Sequence, residues 1–373
     1  MKLIIIKTNL KDGLETICGA SGENLNLPIL KQGLLTISDG LVKLTATNLE
    51  IAVSCVVSGK IIEGGLATFP INTLLNLINN IPSERLNIEN NKNILEIKTD
   101  NYNATIQGLS PDDFPIIPKI SPTTPSNLIE IESAVLKDAL NQVIISTQHS
   151  DLRPELSSVL FSFTANGLKI VGTDSFRLSE KTIPPAQFKA NNIDAFRILV
   201  PLKTVSELLK ILKPQEATQL YHDQNQVLFK TARYEFISRL VEGIFPDYTT
   251  IIPQKFDAEI TVNREEFVQA LKLTGIFGSR FNEVKVRIAA NKKNLEIFSA
   301  DQALGENHYF LPAKIQGKVG EVSFNWKHLL DGLRVLKTEE VYFGANSEEN
   351  KPALLKSPND ATYFYILMPI LKT

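Results

Sequence analysis

Apolar residues recur along this chain at helical spacing, in the same order, three times over. Leu10, Leu14 and Ile17 fall at i, i+4 and i+7, as do Leu136, Leu140 and Val143, and Phe267 and Leu271 begin a third run that Thr274 breaks. That spacing lays one apolar stripe along a helix, and a short alternating run before it, such as Leu3-Ile5 or Ile260-Val262, marks a strand feeding the helix. A second helix in each copy follows Pro70, Pro201 or Asn325. Four, eight and eleven residues further on stand Leu74, Ile78 and Ile81, then Val205, Leu209 and Leu212, then Leu329, Leu333 and Leu336. Proline in a first turn is a start signal, because its missing N–H costs a helix nothing there. Between the helices, Leu41–Thr47, Gly167–Thr173 and Asn294–Ser299 are short, rich in branched residues and bounded by Gly, Asn or Asp, which reads as strands. The pattern predicts two helices of about twelve residues and roughly six to eight strands per copy.

Landmarks in the loops keep the same register. Tyr102 leads to Phe114-Pro115 and Pro118, Tyr234 leads to Phe245-Pro246 and Pro253, and Tyr365 leads to Met368-Pro369. Thr47-Asn48, Thr173-Asp174 and Ala300-Asp301 form a second series. The repeat is a whole domain, far longer than a solenoid unit. Ser121-Pro-Thr-Thr-Pro-Ser126 has the composition of a linker, and Pro253-Gln254-Lys255 marks a second joint. Three α+β domains follow, at 1–121, 127–252 and 256–373, each near the usual domain size.

With 43% apolar and 21% charged residues, the chain has the balance of a soluble protein with ample core. No run of 18 apolar residues occurs, and Lys7 cuts short the apolar start, so neither a membrane span nor a signal peptide is expected and the chain is placed in the cytoplasm. Cys18 and Cys55 are the only cysteines, too few for a disulfide framework or a four-ligand zinc site. His149, His222, His308 and His328 show no metal spacing, and no phosphate loop or nucleophile elbow appears, so no cofactor, no metal and no catalytic residue is expected. Asp112-Asp113 before Phe-Pro reads as a turn, and Asp174 as a capping or turn-forming carboxylate.

A net charge of −2 means that contact with nucleic acid has to come from local arrangement. At 100° per residue the apolar positions of the second helix point to about 20–80°, while those two, nine and twelve residues after its start point to about 120–200°. The latter hold Lys203, Lys210 and Lys213 in the second copy and Lys327, Arg334 and Lys337 in the third; the first has Asn72, Asn79 and Pro82. One such face is ordinarily just solvated. Recurrence at matched positions in two copies points to a phosphate-facing surface. Lys11 and Lys137 hold equivalent places on the first helices, each followed by an acid, Asp12 or Asp138.

Six segments in order on this threefold repeat resemble the bacterial sliding clamp family, the beta subunit of DNA polymerase III, over essentially the whole chain. They are Leu27–Leu30, Thr45–Ile51, Leu109–Pro115, Gly172–Leu178, Phe245–Tyr248 and Tyr365–Pro369. The resemblance implies three tandem clamp-fold domains, each with two helices packed on antiparallel sheets, and a head-to-tail homodimer that makes a six-domain ring. It implies a non-catalytic task, encircling double-stranded DNA and tethering the DNA polymerase catalytic subunit and the clamp loader through short linear peptides. The implied peptide pocket comprises Leu156, Thr173, Ser175, Phe176, Arg177, Leu178, Pro246, Ile251, Ile366, Met368, Pro369, Ile370 and Leu371. Read without the family, Ile366–Ile370 is simply a final core strand. The implied dimer contact sets the strand near Ala104–Ile106 against the strand near Leu295–Phe298, with Ile276 and Phe277 in an apolar patch.

Three departures from the family stand out. Ser175 and Phe176 occupy places usually held by Gly and His, so the pocket wall is bulkier. The end reads Met368-Pro-Ile-Leu-Lys372-Thr373 where Met-Pro-x-Arg-Leu is usual, and the loop Ser21-Gly-Glu23-Asn24 lacks the usual basic residue. A divergent or accessory clamp is consistent with these. So is a tandem-repeat peptide-binding scaffold that never meets DNA, whereas a hydrolase or transferase would need convergent titratable groups between repeats.

Overall fold

The computed structural model describes residues 1–22, 24–118, 120, 128–190, 194–278, 281–348 and 350–371. The expected linker Ser121–Ser126, Glu23 of the Ser21–Asn24 loop, and Lys372-Thr373 lie outside the described residues. Six helices occur among the described residues: α1 (Lys7–Cys18), α2 (Ile71–Asn80), α3 (Ser133–Ile144), α4 (Leu202–Ile211), α5 (Arg264–Thr274) and α6 (Trp326–Val335). Each takes over directly from a strand. Pro70 and Pro201 end those strands one residue ahead of α2 and α4 rather than sitting in the first turn. In the third repeat Asn263 and Asn325 cap α5 and α6, their side chains accepting from the N–H of Glu266 and Lys327, both at 3.0 Å. The predicted stripes are buried, Leu10, Leu14, Ile17, Leu136, Leu140 and Val143 among them, except that on α4 Leu209 is half-buried and Leu208 takes the core position. Thr274, where the third stripe breaks, is buried too, because its hydroxyl donates to the Ala270 carbonyl one turn back at 2.8 Å.

Twenty-six strands are present among the described residues, nine, nine and eight by repeat, so the third falls within the six to eight expected and the first two exceed it by one. The additional ones are short or polar edge strands such as Phe188–Ala190 and Gly59–Glu63, which carry no alternating apolar signal. Every ladder is antiparallel.

Packing gathers the chain into two compact units: 1–136 with 188–194 and 203–240, and 137–187 with 195–202 and 241–373. The first holds a five-stranded and a nine-stranded sheet, the latter joined where Ile51–Val57 pairs with Tyr234–Arg239. The second holds a twelve-stranded sheet in which Arg177–Ile183 pairs with Tyr363–Leu367. Strands of different repeats thus run edge to edge inside one sheet, and the middle repeat contributes to both units. In the second unit, α5 and α6 close a core with Phe267, Leu271, Leu329, Leu333, Phe324 and Phe343. No helix among the described residues is long and apolar enough to cross a membrane.

Candidate functional site

The strand join in the second unit is where most of the expected pocket residues meet. Its first component is a turn. Asp174 Oδ1 accepts from the backbone N–H of Phe176 and Arg177, both at 3.0 Å, and the Thr173 hydroxyl donates to the Arg177 carbonyl at 2.7 Å. Asn48 builds the same turn with Glu50 and Ile51 at 3.0 and 2.8 Å, and Asp301 with Ala303 and Leu304 at 2.8 and 3.2 Å. The recurring Asn or Asp is therefore a turn former, as the sequence implied. In the first two of these turns the next residue lies in the left-handed region, Leu49 at φ 75° and Ser175 at φ 76°. Glycine enters that region without cost, which explains the family's usual Gly where this chain has Ser175. Ser175→Gly is expected to raise stability by up to about 1 kcal/mol, read as a higher melting temperature, because it relieves the Cβ penalty.

Arg177 locks the turn in place. Its Nε donates to Asp174 Oδ2 at 2.9 Å and its Nη1 to Asp331 Oδ2 on α6 at 2.7 Å, a partner 154 residues away that no local motif foretells. Nearby, burial first and then the Arg177 charge hold His328 below the usual histidine range, so it stays neutral at pH 7. Arg177→Ala leaves the nearly buried Asp174 carboxylate short of its cation and is expected to cost about 2–4 kcal/mol, with Arg177→Lys recovering only part because one ammonium cannot fork to both acids. Denaturant melts of the three proteins measure this.

The last strand pairs with the segment after the turn, Arg177 opposite Leu367 and Leu178 opposite Ile366. Beyond it the Met368 N–H donates to the Phe176 carbonyl at 2.8 Å, Pro369 offers no donor, and the Ile370 N–H donates to the Ser323 carbonyl at 2.8 Å. The chain end is thereby pinned across the surface. Leu178 and Ile366 are each 1% exposed, inside a cluster with Leu160, Val171, Phe245 and Tyr248. Leu156, Thr173 and Pro369 are buried as well. These five, with Arg177, build the platform. Ser175, Phe176, Ile251 and Leu371 are exposed, and Pro246, Met368 and Ile370 half-buried, so these seven are the ones open to a ligand. Sequence reading missed Arg153, whose guanidinium reaches the Ser175 hydroxyl at 3.4 Å, and Tyr248 to Glu180 at 2.6 Å, a buried bond that fastens the Phe245–Ile252 segment.

Of the basic positions, Lys203 on α4 and Lys327 on α6 are exposed and form no ion pair among the described residues; Lys327 lies 5.8 Å from the Trp326 ring centroid. Lys210 pairs with Glu207 at 2.8 Å, Arg334 with Asp331 at 3.9 Å and Lys11 with Glu15 at 3.7 Å, all along their own helices. Lys213 and Lys337 prove to lie past the helix ends and reach Asp12 (3.5 Å) and Asp138. Lys137 is half-buried. Such pairs near water contribute about 0–1 kcal/mol each.

Three consecutive segments match one family: residues 1–118 the N-terminal, 130–247 the central and 249–371 the C-terminal domain of the DNA polymerase III beta subunit. The chain belongs to that family. It is 27% identical to the beta sliding clamp of Bacillus subtilis and 25% identical to that of Synechococcus elongatus, with 99% of each chain covered in both cases. The crystal structure of the Bacillus subtilis DNA polymerase sliding clamp superposes over 100% of both chains with a TM-score of 0.93 at 27% identity. The Thermotoga maritima beta subunit shares the fold, with a TM-score of 0.89 at 24% identity. Three clamp domains with six helices on antiparallel sheets are thus established, and the resemblance read from six short motifs holds. The beta subunit family is a non-catalytic processivity subunit, and the clamp function displaces the scaffold alternative.

The strand expected at the dimer contact is corrected as well. The strand Asn294–Asp301, which contains Leu295–Phe298, is paired on both sides, with Gly305–Gly317 and Glu283–Ile288, and has no edge to offer. Residues 305–312 pair only with that strand, since the other flank of Gly305–Gly317 is used by Ala258–Val262 at 313–317 alone. The open edge therefore belongs to residues 305–312. Asn103–Gln107 is an edge strand of the five-stranded sheet, with Ala104 half-buried and Ile106 buried, so its open side is backbone rather than these two side chains.

Proposed function

We propose that two copies of this chain join head to tail into a ring that encircles double-stranded DNA in the cytoplasm, with the repeats 1–121, 127–252 and 256–373 as its six domains. A topological link needs no strong phosphate affinity, which fits a net charge of −2 and favours gliding over sticking. The observation that carries the DNA side is the pair Lys203 and Lys327: exposed, at matched positions, and free of carboxylates among the described residues. Lys210, Lys213, Arg334 and Lys337 extend those faces, and Lys11 and Lys137 stand at their edge. The dimer contact sets the Asn103–Gln107 edge against residues 305–312 of the other copy, with Ile276 and Phe277 as apolar anchors. The polymerase and clamp loader dock short peptides on Phe176, Pro246, Ile251, Met368, Ile370 and Leu371 over the buried platform.

Replacing Lys203, Lys210, Lys327 and Arg334 with Gln is expected to weaken loading on DNA and to reduce the slope of log affinity against log salt by about 0.9 for each phosphate contact removed. Stability should move by no more than about 1 kcal/mol, since all four are exposed. An unchanged salt slope would mean that these faces are only solvated.

A further inference from the structure

The nine-stranded sheet buries one face under α1, where Leu44 and Cys55 meet Gly13. Its opposite face carries a cleft of about 680 Å³ beneath the segment Phe114–Pro118. The twelve-stranded sheet shows how that cleft arises, because the same registers recur there. Leu34 opposite Thr45, Thr45 opposite Ser54 and Ala52 opposite Ile237 correspond to Leu160 opposite Val171, Val171 opposite Glu180 and Leu178 opposite Ile366. In the second set the face is filled: Val171 and Leu178 pack with Phe245 and Tyr248, and the Tyr248 hydroxyl donates to Glu180. In the first set Thr45, Ala52 and Ser54 replace Val171, Leu178 and Glu180. Ile117 follows Phe114 at the distance at which Tyr248 follows Phe245, and Glu235 opposes Ser54 where Phe364 opposes Glu180. Each exchange puts a smaller or more polar side chain over one place in the sheet, and together they leave out an aromatic ring.

The rim of the cleft is charged on one side. Lys230 and Lys43 approach Glu235 at 2.9 and 3.8 Å, so two cations share one carboxylate and one positive charge is left over. Leu34, Leu228, Ile237 and Ile117 supply the apolar wall, and the Thr45 and Ser54 hydroxyls, 2.9 Å apart, lie among them. A cleft of this size with an apolar wall and a few convergent polar groups is the usual form of a ligand site.

We infer that this cleft is a second docking site, taking an extended peptide of a partner protein that inserts one aromatic side chain and sets a neighbouring carboxylate against Lys43 and Lys230. The chain supplies the precedent for the ring, since it fills the matching space of its other sheet with Tyr248, and the surplus cation selects an acidic neighbour. The site is distinct from the groups around Met368 and does not depend on the ring.

Titration of the full chain, methyl-labelled at Ile and Leu, with the capped tetrapeptide Gly-Phe-Asp-Gly tests this. Saturable shifts are expected at Leu34, Ile117, Leu228 and Ile237, abolished by Ala52→Phe, which fills the cleft, and unchanged by Met368→Ala. Lys43→Gln with Lys230→Gln should weaken binding about tenfold, and this pair of half-buried cations decides the matter if Ala52→Phe does not fold. No saturable shift at these four residues, shifts confined to Ile251 and Leu371, or equal affinity in the lysine variant would overturn the proposal. So would phenylacetate binding as tightly as the peptide, which would make this a site for small acids.

Discussion

Ile276→Asp combined with Phe277→Asp is expected to turn a dimer into folded monomers. Ile276 is 66% exposed and Phe277 half-buried, in the short turn Gly275–Phe277 that ends α5, and Leu273 beside them is also exposed. Exposed branched and aromatic side chains side by side on a folded surface mark an interface, and two such anchors commonly carry about 2 kcal/mol or more each. Two buried aspartates in their place should raise the dissociation constant at least about a thousandfold. Ile276 contributes little to its own domain, so circular dichroism and melting should change only slightly. Equilibrium sedimentation at micromolar concentration reads the outcome, and a wild-type chain that is already monomeric would count against the whole assembly.

The second large effect concerns the pinned chain end. Removing everything after Leu367 should abolish binding of a short polymerase-derived peptide, and Met368→Ala should cost about 1–2 kcal/mol, with dimerisation intact in both. The cut belongs after Leu367 because Ile366 and Leu367 are both core residues, 1% exposed, and an earlier cut would damage the fold it is meant to spare. Met368 is half-buried, held by its N–H to Phe176, and its thioether can adapt to Leu or Phe anchors. Phe176, whose carbonyl accepts that N–H, keeps 62% of its surface exposed beside it. Phe176→His should alter which peptides are preferred while leaving stability nearly unchanged. Calorimetric titration measures both; undiminished binding to the shortened chain would move the partner site elsewhere.

What the sequence made legible follows from periodicity. Helix stripes such as Leu136, Leu140 and Val143 announce themselves because one face must be buried, and the Asn48, Asp174 and Asp301 turns because a side chain near its own backbone needs no distant partner. Strand order did not show. That Asn294–Asp301 lies between two neighbours while residues 305–312 keep an open edge depends on a thirteen-residue strand changing partners along its length, and no local pattern encodes it. Pairing across the chain was equally hidden: Arg177 reaches Asp331, and Lys213 and Lys337 leave their helices to meet Asp12 and Asp138. Likewise Leu178 and Ile366 match the family's pocket motifs yet are core, because a groove is made of a buried floor as well as the side chains that a ligand meets.

Encirclement itself is tested most directly on circular DNA. The full chain, loaded by a clamp loader and ATP onto a nicked plasmid and separated by gel filtration in salt that suppresses phosphate binding, should travel with the plasmid. It should be lost when a restriction enzyme linearises the circle, because a ring slides off a free end. Retention that is indifferent to linearisation would contradict the account and leave simple affinity for DNA in its place.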